Sequence, residues 1–112
     1  MSFADTLVVI MEKKKITRSK LAAMSTLSEN TISRMRSSDD YCPTKQMVLA
    51  VCVALELSPV EAISLFEKAG LSLKLTNAQD VAYRYILYNC GGYSIDDIND
   101  VLYDNGFETI GS

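Results

Sequence analysis

From Ser28 to Arg36 the chain reads Ser-Glu-Asn-Thr-Ile-Ser-Arg-Met-Arg. Coiled into a helix, this stretch sends Ile32 and Met35, three residues apart, to one face and leaves Glu29, Asn30, Ser33 and Arg34 on the other. The exposed side chains are a carboxylate, an amide, a hydroxyl and a guanidinium. An amide can exchange two hydrogen bonds with the edge of adenine and a guanidinium two with guanine. A carboxylate accepts from the amino group of cytosine, and a serine hydroxyl is a less selective reader. The chemistry on offer is recognition of base edges rather than bond making. A solvated helix also carries polar residues on its outer side, so the elements that would position this face must decide between the two readings.

Other chemistries lack their residues. The chain has no histidine, so the commonest metal ligand and general base is missing. Cys42, Cys52 and Cys90 are odd in number and follow no paired spacing, so neither a zinc site nor a disulfide framework is expected. The first glycine is Gly70, which leaves no phosphate-cradling loop before it. Asp96, Asp97 and Asp100 sit at a helix start, where the dipole accounts for them, without the spacing of a calcium loop. No catalytic residue, metal or cofactor is therefore expected. The opening residues place Asp5 within the apolar run and the lysines after it, the reverse of a secretory signal, and no apolar run reaches the roughly 20 residues of a membrane span. A reduced, cytoplasmic protein without a membrane segment is expected.

Charge is unevenly divided. The net charge is −3, but residues 1–45 hold eight Lys or Arg against five acids and residues 46–112 hold three against nine. A basic front and an acidic back suggest that the front meets an anion.

The elements follow from caps and periodicity. Phe3, Leu7, Ile10 and Met11 repeat at helical spacing, and Lys13, Lys14 and Lys15 follow at the negative end of the dipole. Thr17 can cap a second helix, with Ile16 and Leu21 as a hydrophobic staple, and Ser28 a third, with Leu27 and Ile32 in the same roles. The second helix must then end near Ser25, which leaves a corner of about three residues. Pro43 and Thr44 open the next helix, whose residues 47–55 are apolar all round and require cover on more than one face. Ser58, Pro59 and Glu61 spell a capping box, and Gly70 is placed to end that helix. Two further helices, "TNAQDVAYRYILY" and "YSIDDINDVLY", flank the turn "NCGGY", with Ser94 as cap of the last. No strand period or internal repeat is visible, so the fold class is all-α.

Residues 16–58, from "ITRSKLAAMSTLSENTISRM" to "PTKQMVLAVCVALELS", resemble the Cro and lambda-repressor type helix-turn-helix family, and the resemblance covers about half of the chain. It implies a five-helix DNA-binding domain over residues 1–70, followed by a carboxyl-terminal helical hairpin over 71–112. It implies base reading at Ser28, Glu29, Asn30, Ser33 and Arg34. Phosphate contacts would fall to Thr17, Arg18, Thr31, Arg36 and Lys45. Three departures from the family pattern stand out: Thr26 stands where the corner usually has glycine, Met11 and Arg36 replace a common arginine–glutamate pair, and Glu29 opposes phosphate at a leading contact position.

The tail, with "AGLSL", "AYRYIL" and "INDVL", looks like the carboxyl-terminal segment of small helix-turn-helix regulators of Firmicutes and their mobile elements. Tyr83, Tyr85, Tyr88, Tyr93 and Tyr103 lie there, and tyrosine suits an interface because it buries area while keeping a polar tip. They form either a dimer contact or internal packing. The function expected is a sequence-specific, non-enzymatic regulator of transcription, a repressor acting as a homodimer on double-stranded DNA. The alternative is a protein-binding module on the same fold, such as an antitoxin-like or phage inhibitor component.

Overall fold

The computed structural model describes residues 1–37 and 40–111. Among them are seven helices and no strand: α1 (Phe3–Lys14), α2 (Arg18–Ser25), α3 (Glu29–Ser37), α4 (Lys45–Ala54), α5 (Pro59–Lys68), α6 (Ala78–Asn89) and α7 (Ile95–Asp104). Each begins on a side-chain cap that satisfies a backbone N–H left over by the helix itself. Thr17, Thr44, Ser58 and Ser94 accept from Lys20, Met47, Glu61 and Asp97, and Ser28 accepts from the Thr31 N–H at 3.1 Å. Ser2 and Asn77 do the same for α1 and α6. At Ser58 the box is reciprocal, and the Ser58 backbone N–H and hydroxyl hold the Glu61 carboxyl below its ordinary range. Helix ends are also marked: Gly70, Gly92 and Gly106 take positive φ, and so do three residues with side chains, Lys15, Thr26 and Glu56.

Helix α4 is the post of the molecule. Val48, Leu49, Ala50, Val51, Cys52 and Ala54 are all buried, which accounts for an apolar run with no polar side. One continuous core surrounds it, built from Leu7 and Met11 of α1, Leu21 of α2, Ile32 and Met35 of α3, Leu65 and Phe66 of α5, and Ile98 and Leu102 of α7. Burial pushes the Cys52 thiol far up, so it remains a neutral packing group, and all three cysteines are free. Among the described residues no helix is long and apolar enough to cross a membrane.

Two polar fastenings join the last helices to the rest. Lys45, the first residue of α4, gives its Nζ to both carboxylate oxygens of Asp80 at 3.0 and 2.9 Å, and the Lys74 N–H reaches Oδ2 at 2.9 Å. Burial raises the Asp80 carboxyl, but the Lys74 N–H and Lys45 together outweigh it and hold it below its ordinary value. The second fastening is the chain after α7. Glu108 exchanges bonds with Gln79, Gln46 also donates to its carboxylate, and its carbonyl accepts from the Tyr83 hydroxyl at 3.0 Å. Asn99 then pairs with both backbone groups of Ile110, at 2.8 and 3.0 Å.

Of the two roles open to the tyrosines, Tyr83 takes internal packing. It is wholly buried, with its hydroxyl spent on Glu108, and burial together with the Glu108 charge pushes its pKa up to about 12. A side chain so enclosed is internal packing and presents nothing to a second molecule.

Candidate nucleic-acid interface

Helices α2 and α3 form the expected corner. Ser25, wholly buried, accepts from the Leu27 N–H through Oγ at 3.3 Å, and Thr26 turns the chain with φ 62° and ψ 12°. Threonine thus adopts the left-handed conformation usually left to glycine, an outlier for a β-branched residue. Leu27 is buried, Ser28 starts α3, and Ile32 and Met35 anchor it with no exposed surface. The opposite side of α3 is consequently free: Ser28, Glu29, Asn30 and Arg34 are exposed.

Polar contacts set the outer faces of the two helices against each other. Arg18 at the start of α2 donates from Nη1 to Ser33 Oγ at 2.8 Å, and Ser19 donates to Glu29 Oε1 at 3.4 Å. Ser33 is half-buried and accepts from Arg18, so it is less available than Asn30 and Arg34. Thr17 is exposed but holds the α2 cap, and half-buried Thr31 has its hydroxyl against Ser28 at 2.9 Å. Exposed Lys13, Lys14, Lys15 and Lys20 add positive charge on α1, its end and α2. A carboxylate at the first residue of α3 suits the dipole, and it is also the one acid on this helix.

Two of the expected phosphate contacts sit differently. Lys45 is engaged by Asp80 and serves the joint between α4 and α6, so the free protein does not offer its ammonium to an anion. Arg36 is half-buried, and its Nε is enclosed with no partner among the described residues, while the residue expected opposite it, Met11, is core. With Met11 in the core, the stem of Arg36 is half-buried, and among the described residues it has no ion pair.

The tyrosines do not make one stripe. Tyr85, Tyr88, Tyr93 and Tyr103 are each about half exposed or more. Tyr85 lines an apolar groove of about 650 Å³ between α6 and α7, with Leu75, Val81 and Val101. Arg84 stacks over Tyr88, 5.8 Å from its ring centre. Tyr93 lines a different cleft, shared with Thr26 and Glu56, and Tyr103 is the most exposed of the four. Ser19, the partner of Glu29, and the carboxyl-terminal segment were not evident from sequence. Ser19 carries the spacing signal of a polar residue two places after a cap, whereas the segment carries no local signal at all.

Helix α3, anchored by two apolar residues behind and polar in front, at a fixed corner from α2, is the arrangement that lays a short helix into a DNA major groove. A protein-family model described as a Cro/C1-type HTH DNA-binding domain matches residues 6–68. That is more than half of the chain, and the chain belongs to this family. Its matched span runs from α1 through α5 and includes the whole corner. Comparison with curated proteins and with solved structures returned no match.

Proposed function

We propose that this protein is a sequence-specific, non-enzymatic regulator of transcription, a repressor that binds double-stranded DNA as a homodimer in the cytoplasm. The observation that carries the reading is the free face of α3, where Asn30 and Arg34 stand exposed one helical turn apart behind a cap at Ser28. Asn30 reads adenine, Arg34 reads guanine, Glu29 accepts from cytosine, and Ser28 and Ser33 add weaker contacts. Arg18 contacts phosphate from α2, with Thr17, Thr31 and the guanidinium end of Arg36 beside it. Residues 1–70 are the DNA-binding unit and residues 71–112 an extension that packs on it.

The partner copy docks on the α6–α7 groove, where Leu75 and Tyr85 are 76% and 59% exposed. The groove is lined mainly by apolar side chains with Tyr85 among them, the residue type that suits an interface. The two-fold pair must set its α3 helices about 34 Å apart, one turn of DNA, to read two half-sites. The same groove, in the acidic carboxyl-terminal part of the sequence, favours one second reading, a protein-binding module that keeps the fold without reading DNA. Selection of bound sequences from random oligonucleotides tests both. The regulator reading expects one enriched, two-fold symmetric motif, with affinity that falls steeply as salt rises. Failure to retain DNA at low salt would leave the protein-binding reading.

A further inference from the structure

The chain after α7 returns across the molecule and ends at the helix-turn-helix corner. Gly106, at φ +78°, turns it out of α7, and residues 108–110 are then tied down by Gln79, Tyr83 and Asn99. Ile110 is 2% exposed, so the segment is held by burial as well as by hydrogen bonds. Gly111 arrives against the corner itself. A Cβ on Gly111 would stand 2.0 Å from Thr26 Oγ1 and 2.9 Å from the Ser25 carbonyl oxygen, and its φ of +91° is one that side chains rarely adopt. Glycine is required there twice over, by conformation and by the close approach of two backbones.

Resting on the DNA-binding reading of α3, we infer that residues 108–111 are a positioning strap for recognition: they brace the corner at Thr26 and so fix the angle at which α3 meets its ligand. The corner needs a brace, because a threonine held at φ 62° has no intrinsic preference for that conformation. Angle matters because Arg34 lies five residues beyond the start of α3 at Glu29, about 7.5 Å along the helix. A rotation of roughly 10° at the corner therefore moves Arg34 by more than about 1 Å, whereas a hydrogen bond is made or lost within about half an ångström. The strap touches no base, and it couples the extension to recognition through the corner alone.

The test uses the full chain and four variants, Gly111→Ala, Asn99→Ala, Ile98→Val and Gly111→Ala combined with Thr26→Gly, at a temperature where all are folded by circular dichroism. Gly111→Ala and Asn99→Ala should weaken binding to the selected DNA motif about tenfold, the worth of one base contact. Backbone amides of residues 27–32 should exchange faster with solvent in both. Thr26→Gly removes the Oγ1 obstruction but leaves the Ser25 carbonyl and the φ of +91°, and should return the Gly111→Ala protein only part of the way on both measures. Ile98→Val, which takes a methyl group from the α7 core but none of the strap's hydrogen bonds, should leave both unchanged. The inference is overturned if corner exchange in Gly111→Ala matches the unaltered protein, or if Ile98→Val lowers affinity as much. Should the unaltered protein bind no DNA, the functional reading falls, and the exchange measurement alone decides whether the strap braces the corner.

Discussion

Replacing Asp80 with asparagine takes one charge from the joint between α4 and α6, at almost constant shape. The carboxylate is 4% exposed and receives three bonds, two from Lys45 Nζ and one from the Lys74 N–H, while Lys45 itself is 31% exposed. Bonds to a charged group are worth about 1.5–3 kcal/mol each in mutational terms, and they are not additive. The larger penalty for stranding a buried charge, about 3–5 kcal/mol, does not apply in full, because the ammonium left behind can turn to water. An asparagine oxygen can still accept one bond, but its amide nitrogen then faces a donor. We expect Asp80→Asn to lose about 2–3 kcal/mol of folding stability at pH 7. Lys45→Met should lose more, about 3–4 kcal/mol, since it strands the more buried partner. The sign with pH is fixed by the depressed carboxyl. Stabilisation is complete above the ordinary value of 3.8 and is lost as pH falls through the lower folded value. Urea unfolding at pH 7, at pH 5 and through a series below 3.8 measures it. The gap between the unaltered protein and Asp80→Asn should hold from pH 7 to 5 and close only in the acid series. A gap below about 1 kcal/mol at pH 7, or one that stays constant into acid, refutes the assignment of this pair as the fastening of α6.

Arg34→Ala and Asn30→Ala should each cost about 1–3 kcal/mol on the selected motif and relax preference at one base pair, whereas Arg18→Ala should weaken all sequences alike; identical behaviour on selected and random DNA in fluorescence anisotropy would remove the base-reading roles. Glu29→Gln keeps length and nearly the helix propensity, so it should raise non-specific affinity and blur one base pair with a stability loss of only about 0.3–1 kcal/mol. An unchanged DNA profile with a plain loss of stability would assign Glu29 to the helix alone. Tyr85→Arg puts a charge into the α6–α7 groove and should turn a dimer into a monomer in sedimentation equilibrium, with weaker binding to the two-fold motif. Unaltered mass would move the pairing surface elsewhere.

What the sequence discloses here is whatever depends on near neighbours. Thr17, Ser28, Thr44, Ser58 and Ser94 were all legible as helix starts because a cap and its N–H lie three residues apart. The outward face of α3 was legible because Ile32 and Met35 alone fix its inner side. The bonds of Lys45 and Tyr83 were not legible for one reason: their partners, Asp80 and Glu108, lie 35 and 25 residues away, and nothing in a local pattern pairs them. Thr26 was visible as a departure from glycine, but the residue that braces it, Gly111, is at the far end of the described chain. The tyrosines gave a count and a spacing, yet the turn at Gly92 sends Tyr85 and Tyr93 to different clefts.

A post buried on every side also decides how the molecule comes apart. Because α4 packs against α2 on one flank and against α5, α6 and α7 on the others, opening either side exposes the same apolar helix to water. Partial unfolding then has no low-energy stopping point, and the chain should melt in a single cooperative step with its slowest-exchanging amides in α4. For a regulator this makes turnover all-or-none. A cut that unfolds the extension should then unfold α3 with it, and native-state proteolysis should leave no stable fragment of residues 1–70.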